Sequence, residues 1–318
     1  MVKTALVNRS VERMWPQPTA FEGKGPESNL VPDCAHLSNA QHPETESILE
    51  SENNVSENQD KPVAIITGGG TGIGSATAAL LTENGWNVVI CGRRASLLQE
   101  VANDTGAHAI TLDMNQESSA DELVNSALDR FGRVDGLVLN AAVAHSAGFL
   151  DTGDSLWHEM LETNLLAAAR LARTLIPHFP AEGGSIVGVA SLAALRASSF
   201  LSGYAASKAG LGMMLQSIAV EFGHKGIRAN LICPGLVKTA MSASALAPVA
   251  EREQFGLDGA YLEATRHVPL RRAAESAEIA EVIGFLLSNA ASYLTGAIIP
   301  IDGGASAVDV AALIYENN

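Results

Sequence analysis

Bases are scarce in this chain: 318 residues carry 20 Lys and Arg against 35 Asp and Glu, a formal charge of -15. Nucleic-acid surfaces need clustered Lys and Arg, so a broad interface of that kind is excluded. Cysteine is scarcer. Cys34, Cys91 and Cys233 are odd in number and lack CxxC spacing, which argues against a disulfide framework; the last two lie in the apolar runs "VVICG" and "NLICPG" and read as reduced core residues. His158, His178, His224 and His267 are scattered without ligand spacing, so no metal is expected. No apolar run approaches the roughly 20 residues that cross a bilayer, and no compact apolar block of the signal-peptide kind opens the chain. A cytoplasmic protein without a membrane partner is expected, with organelle targeting through Lys3, Arg9 and Arg13 as the alternative.

What is present divides in two. Residues 1–60 hold ten acids and four bases among Ser, Asn, Gln and Pro, too little apolar surface to offset the entropy of ordering, and read as a flexible acidic extension. Residues 61–318 read as one domain with a C-terminal tail. Strand-like runs at Val63–Thr67, Val88–Cys91, Ala109–Leu112, Gly136–Leu139, Ser185–Val189, Arg228–Ile232 and Ala297–Ile301 alternate with helix-like stretches. These runs look buried on both faces. In "SADELVNSALDRFG" Ser119 and Glu122 form an expected capping box. Repeated β then α predicts an α/β fold, a doubly wound parallel sheet of about seven strands with helices on both faces.

The first strand runs into "TGGGTGIG", Thr67 to Gly74, and then into a helix. Gly68, Gly72 and Gly74 supply a tight turn and close backbone approach, and the helix start offers N–H groups and a positive dipole end to a pyrophosphate. With its TGxxxGxG spacing the loop resembles the short-chain dehydrogenase/reductase family, a resemblance that spans essentially Lys61 to Gly304. It implies cofactor contacts from Gly68, Thr71, Gly72, Ile73 and Gly74, and from Asp113 and Met114 near the adenine. At the end of the second strand a carboxylate would favour NAD; here Gly92 is followed by Arg93 and Arg94, whose guanidinium groups suit a 2′-phosphate. NADP(H) is favoured and NAD(H) is the alternative. "DGLVLNAAVA" resembles the family's NNAG segment: Asn140 and Ala141 are kept, while Leu139 and Ala142 depart from it. "ICPGLVKT" resembles the PG segment, which implies cofactor contacts from Pro234, Gly235, Val237 and Thr239.

"GYAASK" places Tyr204 and Lys208 four apart, on one face of a helix. Alone, the pair reads first as a packed ring with a snorkelling lysine. Ser191, thirteen before Tyr204, and Asn164, twenty-seven before Ser191, match the intervals of the family's Asn, Ser, Tyr and Lys tetrad. A phenol is a poor base at neutral pH, and an adjacent ammonium is expected to lower its pKa. Tyr204 is then the expected general acid and base, and Ser191 a donor to the substrate oxygen. By the resemblance, Lys208 also holds the nicotinamide ribose, and the Asn164 carbonyl holds a water that resupplies the proton.

Substrate contacts are expected from Leu192 and Ala193, from His145 in "AAVAHSAG", and from Leu236, which opens an Ala-rich, mobile-looking excursion to about Val268. Its apolar character points to a neutral, moderately hydrophobic ketone or secondary alcohol. A 3-oxoacyl reductase or NAD(H)-dependent alcohol dehydrogenase is the alternative, with a lyase, an epimerase or a nucleotide sensor behind it. Val308, Val310, Leu313, Ile314 and Tyr315 in the tail, and the small residues Ala205, Ala206, Ala209, Gly210 and Gly212 of the long helix, predict a homodimer or homotetramer.

Overall fold

The computed structural model describes residues 61–309 and residue 311. The expected extension over 1–60, Cys34, and the tail residues Val310, Leu313, Ile314 and Tyr315 lie outside the described residues. Seven strands form one parallel sheet: β1 (Val63–Thr67), β2 (Asn87–Gly92), β3 (His108–Thr111), β4 (Gly136–Leu139), β5 (Gly184–Val189), β6 (Ile227–Pro234) and β7 (Ile298–Ile301). Their order is β3-β2-β1-β4-β5-β6-β7. The chain winds outward from β1 to β3, then returns to the other side of β1 with β4. Consequently the first and fourth strands adjoin at the centre, and the crevice where the winding reverses opens at their carboxyl ends.

Strand periodicity explains the two cores. Val63 and Ile65 point to one face, against Leu123 and Val124 of helix α3 (Ser119–Phe131) and Leu171 and Leu175 of α5 (Ala167–Leu175). Ala64 and Ile66 point to the other face, toward Ala78 and Leu81 of α1 (Gly72–Glu83) and Ile279 and Ile283 of α9 (Ser276–Leu287). Burying each large aliphatic side chain contributes about 1.5–3 kcal/mol, so the central strands hold the fold. The expectation of burial on both faces fails at the sheet edges. β3 and β7, each paired on one side only, carry exposed residues at Thr111, Ile298 and Pro300.

The remaining helices are α2 (Ala95–Thr105), α4 (Asp154–Leu161), α6 (Ser202–Phe222), α7 (Ala240–Arg252) and α8 (Gly256–Ala264). Between α4 and α5 the chain widens into a π turn, Glu162–Leu166, with Asn164 at its middle. The expected Ser119–Glu122 capping box is absent: Ser118 is the cap position, and Ser119, 2% exposed, instead donates to the Asp113 carbonyl at 2.7 Å. Burial turned that hydroxyl inward toward β3. The expected mobile excursion after β6 is a pair of helices, α7 and α8, started by a Thr239–Ser242 capping box and tied by Tyr261 Oη to Ser242 Oγ at 2.7 Å.

Candidate active site

At the carboxyl end of β1 the glycine loop is shaped by close approaches. A Cβ on Gly74 would lie 2.3 Å from the Gly68 carbonyl oxygen and 2.7 Å from Asn140 Nδ2, distances that no side chain tolerates. Gly68 itself has φ +68°, a region L residues avoid. Thr71 caps α1 with no side-chain hydrogen bond, and no acid sits in the first turn. Its N–H groups and dipole are thus open to an anion, and the loop fits a pyrophosphate.

From this loop a cleft of about 610 Å³ runs along the carboxyl ends of the strands. Its lining takes in Gly68, Thr71, Gly72, Ile73, Arg93, Arg94, Asp113, Met114, Asn140, Ala141, Tyr204, Lys208 and Thr239. Arg93 and Arg94 are exposed, and Arg94 Nη2 donates to Thr71 Oγ1 at 3.2 Å, which brings a guanidinium to the glycine loop. Cations there and an anion-ready helix start together fit a phosphorylated dinucleotide.

Asn164, Ser191, Tyr204 and Lys208 come from three chain segments: Tyr204 and Lys208 line the cleft, Ser191 hydrogen-bonds the Tyr204 phenol, and Asn164 reaches the helix of Tyr204 through Ser207. Lys208 is 1% exposed; its Nζ donates to the Val189 carbonyl at 2.7 Å and lies 5.9 Å from the centre of the Tyr204 ring. Burial lowers its pKa to about 8. The Tyr204 phenol is held above its ordinary value, first by burial, against a hydrogen bond from Ser191 that lowers it, and with a further upward push from Cys233. This differs from the expected lowering: the ammonium faces a backbone carbonyl, and desolvation of the phenol outweighs the hydrogen bond from Ser191. Ser191 Oγ also accepts from Ala193 N at 3.2 Å.

The Asn164 side chain is fully used. Its Oδ1 accepts from Val143 N at 2.8 Å, and its Nδ2 donates to Val143 O and Ser207 Oγ, both at 2.9 Å. Ser207 in turn donates to the Tyr204 carbonyl at 2.7 Å. The π turn leaves carbonyls off the regular helical ladder, consistent with a backbone role for this residue.

Several expected contacts do not line the cleft. Asn164, Ser191, Leu192, Ala193, Pro234, Gly235, Leu236 and Val237 are not among its lining residues, nor is Gly74, which packs against the Gly68 carbonyl and Asn140. His145 Nε2 pairs with Glu159 of α4 at 2.9 Å, on the surface, because its loop turns it toward that helix. The Thr239 hydroxyl accepts from Ser242 N at 3.2 Å as a helix cap. Gly210 and Gly212 of the long helix pack within this chain, a Cβ there meeting Leu165 and Leu231 at 3.0 and 2.9 Å. Only Ala206 and Ala209 of that small-residue set face outward.

Sequence reasoning overlooked three supports. Thr67 Oγ1 accepts both Asn140 N and Ala141 N at 3.0 Å, joining β1 to the segment after β4. Ser207 links the π turn to α6. Cys233, wholly buried, lies beside Ser191, whose backbone N–H it accepts, and burial pushes its thiol up to about 11. A Thr closing a buried strand was the available signal for the first, and the apolar run around Cys233 marked it as the reduced, buried residue it is but not as a neighbour of Ser191; nothing local marked Ser207.

Residues 68–306 match a family model described as enoyl-(acyl carrier protein) reductase. The cis-4-hydroxycyclohexanecarboxylate dehydrogenase of Sinomonas cyclohexanicum is 37% identical over 77% of this chain and 97% of its own length. Among solved structures, a levodione reductase superposes with a TM-score of 0.73 at 30% identity, over 78% of this chain and 98% of that one. A variant of actinorhodin polyketide ketoreductase with NADPH gives 0.73 at 28% identity, over 77% of this chain and 97% of that one.

Proposed function

As the chain belongs to the short-chain dehydrogenase/reductase family, NAD(P)-dependent oxidoreductases of alcohols and ketones, we propose that it prefers NADP(H) and interconverts a neutral, moderately hydrophobic ketone with its secondary alcohol. The observation that carries this reading is that Tyr204 and Lys208 line the same cleft as Arg93 and Arg94, with the Ser191 hydroxyl hydrogen-bonded to the Tyr204 phenol. The nicotinamide, when bound, supplies or accepts the hydride. Tyr204 gives the proton to the carbonyl oxygen in reduction and takes it back in oxidation. Ser191 donates to that oxygen as charge develops. Lys208 is the cation beside the proton donor, and Asn164 holds the π turn against α6 through Ser207, so that the proton path keeps its shape.

For the substrate, support comes from what surrounds the mouth. Met241 lines the cleft, and the loops after β4 and before α6 expose Phe149, Leu150 and Phe200, joined by Ala147 N donating to Phe200 O at 3.0 Å. Cations nearby are engaged: Arg196 donates to the Leu195 and Ser306 carbonyls, and Lys238 pairs with Glu275. Two of the relatives named above are, by their names, reductases of levodione and of a polyketide, which supports a ketone substrate, whereas the third acts on a hydroxycyclohexane carrying a carboxylate.

The test is a panel of ketones and secondary alcohols followed at the nicotinamide absorbance with NADPH and NADH in parallel. Wild type should favour NADPH in kcat/KM, and the Arg93→Ser, Arg94→Ser double variant should lose about 10- to 100-fold of that preference, chiefly in KM. Equal use of both cofactors by wild type, or turnover confined to anionic acyl-carrier substrates, would sink the reading.

Assembly follows from α6. Its outward face carries Ala206, Ala209, Met213 and Val220 at helical spacing, with the last two 64% and 86% exposed. A homodimer or homotetramer pairing this face is the proposed form. Light scattering that returns the mass of a single chain at micromolar concentration would count against it.

A further inference from the structure

Outside the catalytic cluster, Arg170 on α5 makes three hydrogen bonds that join residues lining the cleft to the π turn. Its Nη2 donates to Glu162 at the head of the π turn, and to the carbonyls of Met114 and Asn115, each at 3.4 Å. The Met114 carbonyl belongs to the same peptide unit as Asn115 N, and that N–H donates to Asp113 Oδ1 at 3.1 Å. Guanidinium, peptide and carboxylate thus form a chain. A cation pulling on the carbonyl strengthens the N–H as a donor, which pins one oxygen of the Asp113 carboxylate and leaves the other for a ligand. Asp113, Met114 and Asn115 all line the cleft, as does Thr163, whose Oγ1 accepts from Asn115 Nδ2 at 3.0 Å.

Two atoms of this cluster, Asn115 Oδ1 and Arg170 Nε, are buried without a partner. One is an acceptor and the other a donor. Native proteins leave few such groups, and here both sit where the loop after β3 meets the π turn. Arg170 therefore joins two functional segments, the loop at the expected adenine end and the turn that carries Asn164.

We propose that Arg170 is a positioning residue for the cofactor: its guanidinium, held by Glu162, fixes the Asp113–Asn115 loop in the form that recognises a 6-aminopurine. This rests on the dinucleotide reading of the cleft. The test is binding, measured by nucleotide fluorescence, of NADPH and of its hypoxanthine analogue, in which the 6-amino group is a carbonyl. Wild type should bind NADPH about tenfold more tightly than the analogue, the effect of one hydrogen bond to a charged acceptor. In Arg170→Met that ratio should fall to within about twofold, with the loss falling on NADPH and little change for the analogue. Arg170→Lys, a point charge without the fork, should lie between.

Calorimetric unfolding run alongside separates packing from positioning: a lower Tm with an unchanged ratio overturns the proposal. Where Arg170→Met fails to fold, Glu162→Gln serves instead, since it keeps the side-chain volume and frees the guanidinium; a wild-type ratio in that variant overturns the proposal as well. Wild type that binds both nucleotides equally also overturns it while leaving the dinucleotide reading intact. Wild type that binds neither removes that reading itself.

Discussion

Replacing Tyr204 by Phe is expected to lower kcat for ketone reduction by about 10³-fold, within the range general acid catalysis supplies. Cofactor affinity and Tm should barely move. The ring stays in place, the Ser207 hydroxyl still binds the backbone carbonyl of residue 204, and the lost contact is the hydrogen bond with Ser191. Stopped-flow reduction with bound NADPH is the cleanest measurement, because binding and chemistry then separate. Residual activity within tenfold of wild type would move the proton-transfer role elsewhere. The pH profile of the wild type gives the complementary check. Reduction needs the phenol and the ammonium protonated; Lys208, lowered to about 8 by burial, loses its proton first, and Tyr204 is held above its ordinary value. Reduction should be level below pH about 8 and fall above it. Alcohol oxidation, which needs the phenolate, should rise in the alkaline range.

Gly74→Val should abolish useful cofactor binding, weakening NADPH by about 100-fold, and lower unfolding stability by about 1–3 kcal/mol. The first atom of any side chain would meet the Gly68 carbonyl at 2.3 Å, which is backbone and has no room to yield. Asn140 Nδ2, 2.7 Å from the same point, donates to the Thr67 and Gly68 carbonyls, so displacement would spread from the glycine loop to the segment after β4. Chemical denaturation and fluorescence titration read the two effects. Gly153→Ala is the control: a Cβ there meets nothing within 4 Å, and φ is -70°, so binding should be unchanged. A Gly74→Val protein that binds NADPH like wild type would show that the loop is not the phosphate cradle.

Much of the site could be read before any fold was known, and the reason differs by residue. Gly68, Gly72, Tyr204 and Lys208 are legible because their chemistry depends on local spacing, within one turn or one helix, and the structure puts all four on the cleft. His145 misled because proximity to the site mouth in sequence says nothing about rotation of the loop, which turned the imidazole to Glu159. Gly210 and Gly212 misled in the same way: small residues permit close approach, but whether the approaching group is a second chain or Leu165 and Leu231 of the same chain is a tertiary matter. Arg170 was passed over entirely. Its partners at 114 and 115 are more than fifty residues away and are carbonyls, which every residue has, and Glu162 lies eight residues off, beyond the three- and four-residue helical spacing.

By itself the sequence determined the alternation of buried strands and amphipathic helices, the place of the glycine turn before the first helix and the residues proposed to move a proton. Each follows from periodicity or from side-chain chemistry, both properties of short segments. Only the tertiary structure decided that desolvation lifts the Tyr204 phenol and lowers Lys208, that Asn164 joins the π turn to α6, and that Arg170 donates to the carbonyls of Met114 and Asn115. Those depend on which atoms the fold places around a group and how much water it removes. Neither quantity is written in the spacing of residues along a chain.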